Sequence, residues 1–182
     1  MSFADQLTVA RAIAVPIVVA LFAIRFSGHD YWATGVFCGA MATDWFDGRI
    51  ARRSGRTSPL GSLLDPVADK LLVMATLIVL IDQGVFPAWM VAAIVARELL
   101  ISGLRQAEIE RGVVIAARDL GKLKTWAQAI AAAVGGLAAA GVWGTSAAWW
   151  TLLVALVLTW VSGLDYARSA PRVLRGRPAA TP

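Results

Sequence analysis

Residues 43–70 read TDWFDGRIARRSGRTSPLGSLLDPVADK and hold four aspartates, Asp44, Asp47, Asp65 and Asp69, between flanks that are almost entirely apolar. On a helix Asp44 and Asp47 share a face that Gly48 and Ala51 continue, and Gly61, Asp65 and Asp69 repeat every four residues along a second helix. If the two helix ends pack antiparallel across the turn RRSGRTSP, all four carboxylates converge. Pairing with neighbouring arginines as interfacial anchors is one way to keep them. An ionised Asp inside a membrane span costs on the order of 3 kcal/mol, however, and facing pairs of acids add mutual repulsion. A divalent cation answers both costs, because carboxylate oxygens are the ligands Mg²⁺, Mn²⁺ and Ca²⁺ prefer, and four of them can bridge two ions roughly 4 Å apart. The small residues Gly48, Ala51 and Gly61 leave room for a flat base or a phosphate beside the acids, or allow tight helix packing. Pro66 has two readings: it kinks a helix already under way, or it opens one that Asp65 caps.

The elements that must carry these residues follow from hydropathy. Of 182 residues, 58% are hydrophobic and 16% charged, outside the range of an ordinary soluble domain, so an integral membrane protein is expected. Apolar runs near the roughly 20 residues that cross a bilayer lie at about 7–26, 31–48, 62–83, 87–107, 123–142 and 148–166. Arg11 and Pro16 interrupt the first, which is read as a retained span and not a cleaved signal. Arg49, Arg52, Arg53 and Arg56, then Arg105, Arg111, Arg118, Lys122 and Lys124, then Arg168, Arg172, Arg175 and Arg177 fill alternate loops and the tail, while the opposite loops hold a single Arg. The positive-inside rule puts both termini and the basic loops in the cytoplasm, with Trp32, Trp89, Trp143, Trp149 and Trp150 as an aromatic belt at the other face. That topology accounts for the net charge of +5, so no nucleic-acid partner is expected. Cys38 is the single cysteine and reads as a small packing residue, His29 as a solvated loop residue, and the run AQAIAAAVGGLAAAG as a surface for close helix packing. Residues 1–170 form one six-span domain, and 171–182 a basic, disordered cytoplasmic tail.

The string Asp44-x-x-Asp47-Gly48-x-x-Ala51-Arg52, eight residues, Gly61-x-x-x-Asp65-x-x-x-Asp69 matches in every position the signature of the CDP-alcohol phosphatidyltransferase family, which this chain therefore resembles. The resemblance implies an all-α integral membrane protein, a six-transmembrane-helix bundle in which an alcohol attacks a CDP-linked lipid and CMP departs. It further implies that Asp44, Asp47 and Asp65 hold two divalent ions, Mg²⁺ or Mn²⁺. Asp69 is then both a further ligand and the candidate base, and Asp47, Gly48, Ala51, Arg52 and Gly61 line the CDP-lipid site. The segments DPVADK, ARELLISGLR and GKLKTWAQ are similar to the branch that joins CDP-diacylglycerol to glycerol 3-phosphate in phospholipid biosynthesis, and the family resemblance suggests a homodimer among membrane lipids. A phosphorylated acceptor needs cations, and Arg97, Arg105, Lys122 and Lys124 cluster near the cytoplasmic ends of the fourth and fifth spans. Arg97, buried in the apolar run VARELL, is poorly explained by topology. Two alternatives stand beside this reading: the same chemistry with phosphatidylglycerol or inositol phosphate as acceptor, and a divalent-cation transporter, which would place acids mid-span along a polar path.

Overall fold

The computed structural model describes residues 3–54, 59–110 and 119–169, with side chains described for 9–43, 70–108 and 120–168. The segment 171–182, read from sequence as a disordered tail, lies outside the described residues. Six helices occupy the described chain: α1 (Phe3–Ala23), α2 (His29–Ser54), α3 (Pro59–Asp82), α4 (Ala88–Glu110), α5 (Asp119–Ala139) and α6 (Thr145–Ser169). Each overlaps one of the six apolar runs. At 21 to 26 residues they are about 31–39 Å long, enough to match the hydrocarbon core of a bilayer.

The connections α1–α2, α3–α4 and α5–α6 are five residues each, which makes their partners antiparallel neighbours. Glycine stops two of these helices in the same way. Gly84 (φ 71°) donates its N–H to Ile81, and the following Val85 reaches back to Leu80; Gly141 (φ 75°) donates to Ala138, and Val142 to Leu137. These paired bonds satisfy carbonyls that a helix end leaves orphaned, and only glycine takes the left-handed backbone without strain. Gly28 (φ 77°) sits in the third such connection and accepts from Tyr31 and Trp32 at the start of α2.

α1 packs on α2 and α3, α5 on α2, α3 and α6, and α4 on α6 and α3. Phe22, Phe37, Leu77, Leu80, Met90 and Leu152 fill the core between them. The close-packing surface expected of α5 is present: a Cβ on Gly135 would run into Leu80 and Phe86, and one on Gly136 into Thr34. Outward, by contrast, every helix shows large apolar side chains, among them Ile13, Ile78, Leu99, Trp126, Ile130 and Val157.

One expectation is met in part and two change. By length and composition, one helix among the residues with described side chains, Thr145–Arg168, is long and apolar enough to cross a membrane, and α1 adds a shorter apolar stretch, Val9–Ala23. Cys38 is exposed on α2 instead of packed inside. His29 is the first residue of α2, mostly buried, with Nδ1 3.1 Å from Asp30 and its ring edge-on to Phe26.

Candidate active site

α2 runs unbroken through Asp44, Asp47, Gly48, Ala51 and Arg52, so the first four occupy one stripe at intervals of three and four residues. α3 begins at Pro59, the first-turn position where a missing N–H costs nothing, and continues through Pro66. The helix therefore does not start at Pro66, and Gly61, Asp65 and Asp69 fall on one continuous stripe of α3. The side chains of these eight positions lie outside the described residues. Both helices pack on α1 and on α5, which hold them as neighbours of the same two elements.

One step beyond Asp69 the described side chains begin, and they form a charged cluster inside the bundle. Its centre is Glu98 on α4, 2% exposed. Arg97 donates from Nη1 to Glu98 Oε1 at 2.8 Å and from Nη2 to Ser162 on α6 at 3.1 Å. Lys124 Nζ on α5 also donates to Glu98 Oε1, and Gln128 Nε2 does so at 3.3 Å while holding Thr159 at 2.7 Å. Lys70 on α3 donates to Ser102 Oγ at 2.6 Å and lies 3.9 Å from Glu98 Oε2. A cavity of about 40 Å³ opens among Lys70, Met74, Glu98, Lys124 and Gln128.

Buried charge on this scale persists only when it is paired and hydrogen-bonded. Lys70, Arg97 and Lys124 approach Glu98 from α3, α4 and α5, so cationic groups from three helices gather around one carboxylate. An anion with several oxygens is the chemical complement of such a pocket.

Of the four basic residues expected from sequence, the structure brings Arg97 and Lys124 together through Glu98. Arg105 lies two turns further along α4, its guanidinium 5.8 Å from the ring centre of Tyr166, whose hydroxyl donates to the buried Glu108. Lys122 is exposed on α5. Glu98, Lys70, Ser102 and Gln128 received no role from the sequence. The signal for them was a pair of polar residues four apart, Glu98 with Ser102 and Lys124 with Gln128, on otherwise apolar helices.

A family model for the CDP-alcohol phosphatidyltransferases matches residues 1–161, which takes in the aspartate stripes together with Lys70, Arg97, Glu98 and Lys124. The chain belongs to that family. Within this phosphatidyltransferase family it is similar to a protein of Escherichia coli K12, 37% identical over 170 residues that cover 90% of this chain and 92% of the relative. A protein of Bacillus subtilis is 40% identical over 139 residues, 70% of this chain and 72% of the relative. Both relatives are named CDP-diacylglycerol–glycerol-3-phosphate 3-phosphatidyltransferase.

Proposed function

We propose that this phosphatidyltransferase moves the phosphatidyl group of CDP-diacylglycerol to glycerol 3-phosphate, giving phosphatidylglycerophosphate and CMP. The observation that carries this reading is likeness along the full working length: the Escherichia coli relative so named is similar over 90% of this chain, a share too large to leave out the aspartate stripes or the helices that bear Arg97, Glu98 and Lys124.

A hydroxyl of the acceptor attacks the phosphorus next to the lipid, the bond from that phosphorus to the oxygen of CMP breaks, and CMP leaves with the electron pair. Asp69 takes the hydroxyl proton. The donor set of Asp44, Asp47, Asp65 and Asp69 is all carboxylate and suits Mg²⁺ or Mn²⁺. Two such ions, when bound, neutralise the diphosphate and make CMP a better leaving group. Gly48, Ala51, Arg52 and Gly61 provide the remaining wall of the CDP-lipid site, and Arg105, Lys122 and Lys124 provide cations for the acceptor phosphate, with Arg97 held behind them on Glu98 and Ser162.

The same reading places the six helices across a membrane as a bundle, with the termini and the aspartates at the cytoplasmic face and a homodimer as the assembly. Support comes from the outward apolar side chains on every helix and from basic residues concentrated toward one end of the helices, with Arg25 alone in the connections at the other end.

Purified in detergent with Mg²⁺, the protein is expected to release CMP when given CDP-diacylglycerol and glycerol 3-phosphate, and to give little with phosphatidylglycerol or inositol phosphate. Preferential turnover of phosphatidylglycerol would make it a cardiolipin-forming enzyme of the same fold. Absence of CMP release with any of these alcohols would overturn the transferase reading in favour of a cation carrier.

A further inference from the structure

Glu98 accepts from Arg97, Lys124 and Gln128 within one buried cluster and stands 3.9 Å from Lys70. One turn along the same helix, Ser102 accepts from the Lys70 ammonium at 2.6 Å. Two lysines from two different helices, α3 and α5, are thus turned by one face of α4 toward a common cavity. Lys70 follows Asp69 directly and its side chain is 37% exposed, whereas that of Lys124 is 12% exposed, so the lysine pair runs from the aspartate end of α3 into the cavity. At about 40 Å³ the cavity holds a few waters and not a whole phosphate ester, so an anion that meets both lining lysines has to do so at its mouth. Without Glu98, the cationic groups would repel one another at close range, and Lys124 would lose the carboxylate that fixes where it points.

On the strength of the acceptor reading, we infer that Glu98 and Ser102 are positioning residues: they hold Lys124 and Lys70 as a two-ammonium clamp for the phosphate of the acceptor. Neither residue touches the substrate. They act through the lysines, and the consequence is a selective hold on a phosphate monoester. Arg97 is the counterweight, since both of its terminal nitrogens are engaged with Glu98 and Ser162.

The test measures CMP release against glycerol 3-phosphate at saturating CDP-diacylglycerol, and then against CDP-diacylglycerol at saturating acceptor. Glu98→Gln keeps the shape and removes the charge. It is expected to raise the KM for glycerol 3-phosphate about tenfold or more, with the KM for CDP-diacylglycerol within about twofold of wild type. Ser102→Ala, at a half-buried position, is expected to raise the acceptor KM roughly threefold to fivefold. A parallel rise in both KM values, or a lower thermal midpoint with an unchanged acceptor KM, shows a merely structural role and overturns the inference. If Glu98→Gln does not fold, Ser102→Ala decides alone: an unchanged acceptor KM overturns the clamp and a selective rise sustains it. Wild-type protein that ignores glycerol 3-phosphate refutes the acceptor reading itself, whereas wild-type turnover with an unshifted Glu98→Gln refutes only the positioning role.

Discussion

Asp44, Asp47, Asp65 and Asp69 are chemically alike, yet the proposed mechanism divides their work, and substitution separates the parts. Asn is nearly isosteric with Asp and lacks its charge, so Asp44→Asn, Asp47→Asn and Asp65→Asn are each expected to lower CMP release by roughly 10²-fold or more through loss of ligand charge. Asp69→Asn differs if its chief duty is to take a proton. Hydroxide can then do part of that duty, so the residual rate should rise with pH while the three ligand variants stay flat. A pH profile of CMP release from the four variants checks the division, and near-wild-type turnover in Asp44→Asn would sink the mechanism. Arg97 shows why loss of activity alone does not define a phosphate ligand. It is buried with Glu98, and removing one member of such a pair strands the other at a cost of about 3–5 kcal/mol, so Arg97→Ala loses stability before any question of substrate arises.

Helix α6 contributes to the site mainly through what it lacks. At Gly163 a Cβ would lie 2.7 Å from Arg97 Nε, so the missing side chain makes the space in which the guanidinium crosses to Ser162. Gly163→Ala adds one methyl group and is expected to push Arg97 off Glu98 and Ser162, lowering stability by about 1–3 kcal/mol, a figure typical of overpacking. A thermal midpoint measured in detergent for Gly163→Ala beside Gly103→Ala checks this. Gly103 lies on α4 with nothing within 4 Å of an added Cβ, and its substitution should leave the midpoint unchanged or raise it. Equal midpoints in the two variants would show that Arg97 yields without cost. On α5, Gly135 and Gly136 serve packing in the same manner, admitting Phe86 and Thr34 against the helix backbone.

Across the whole molecule, polarity is distributed by end and by depth. Trp32, Trp89, Trp143 and Trp150 are all exposed and lie in or beside the three five-residue connections, as an interfacial belt at one end requires. The acids of α2 and α3 and the lysines of α5 fall toward the other end. The topology this implies has a direct check in vesicles, using a Cys38→Ser background to remove the exposed native thiol. A cysteine at Ser54 is expected to react with a membrane-impermeant thiol reagent from the cytoplasmic side only, and one at Ser146 from the opposite side only. Labelling of both from one side would break the six-span arrangement.

Much of this protein was legible in its sequence for reasons of physics at short range. Apolar runs of bilayer length and the alternation of basic and neutral connections are local properties, and six helices follow from them. The aspartate signature was equally legible, because spacings of three and four residues define a helical stripe wherever the helix lies. Tertiary structure decided what depends on distance between helices. Pro66 could not be assigned from sequence, since a proline kinks or begins a helix according to what packs around the preceding turn. The basic residues looked alike as a set of four, yet packing sent Arg97 and Lys124 to Glu98 and Arg105 to Tyr166. Glu98 was a charge beside a charge in VARELL. Only the approach of α3 and α5 to α4 makes it the carboxylate on which a lysine from each converges, because buried ionic contacts are set by which helices meet and not by order along the chain.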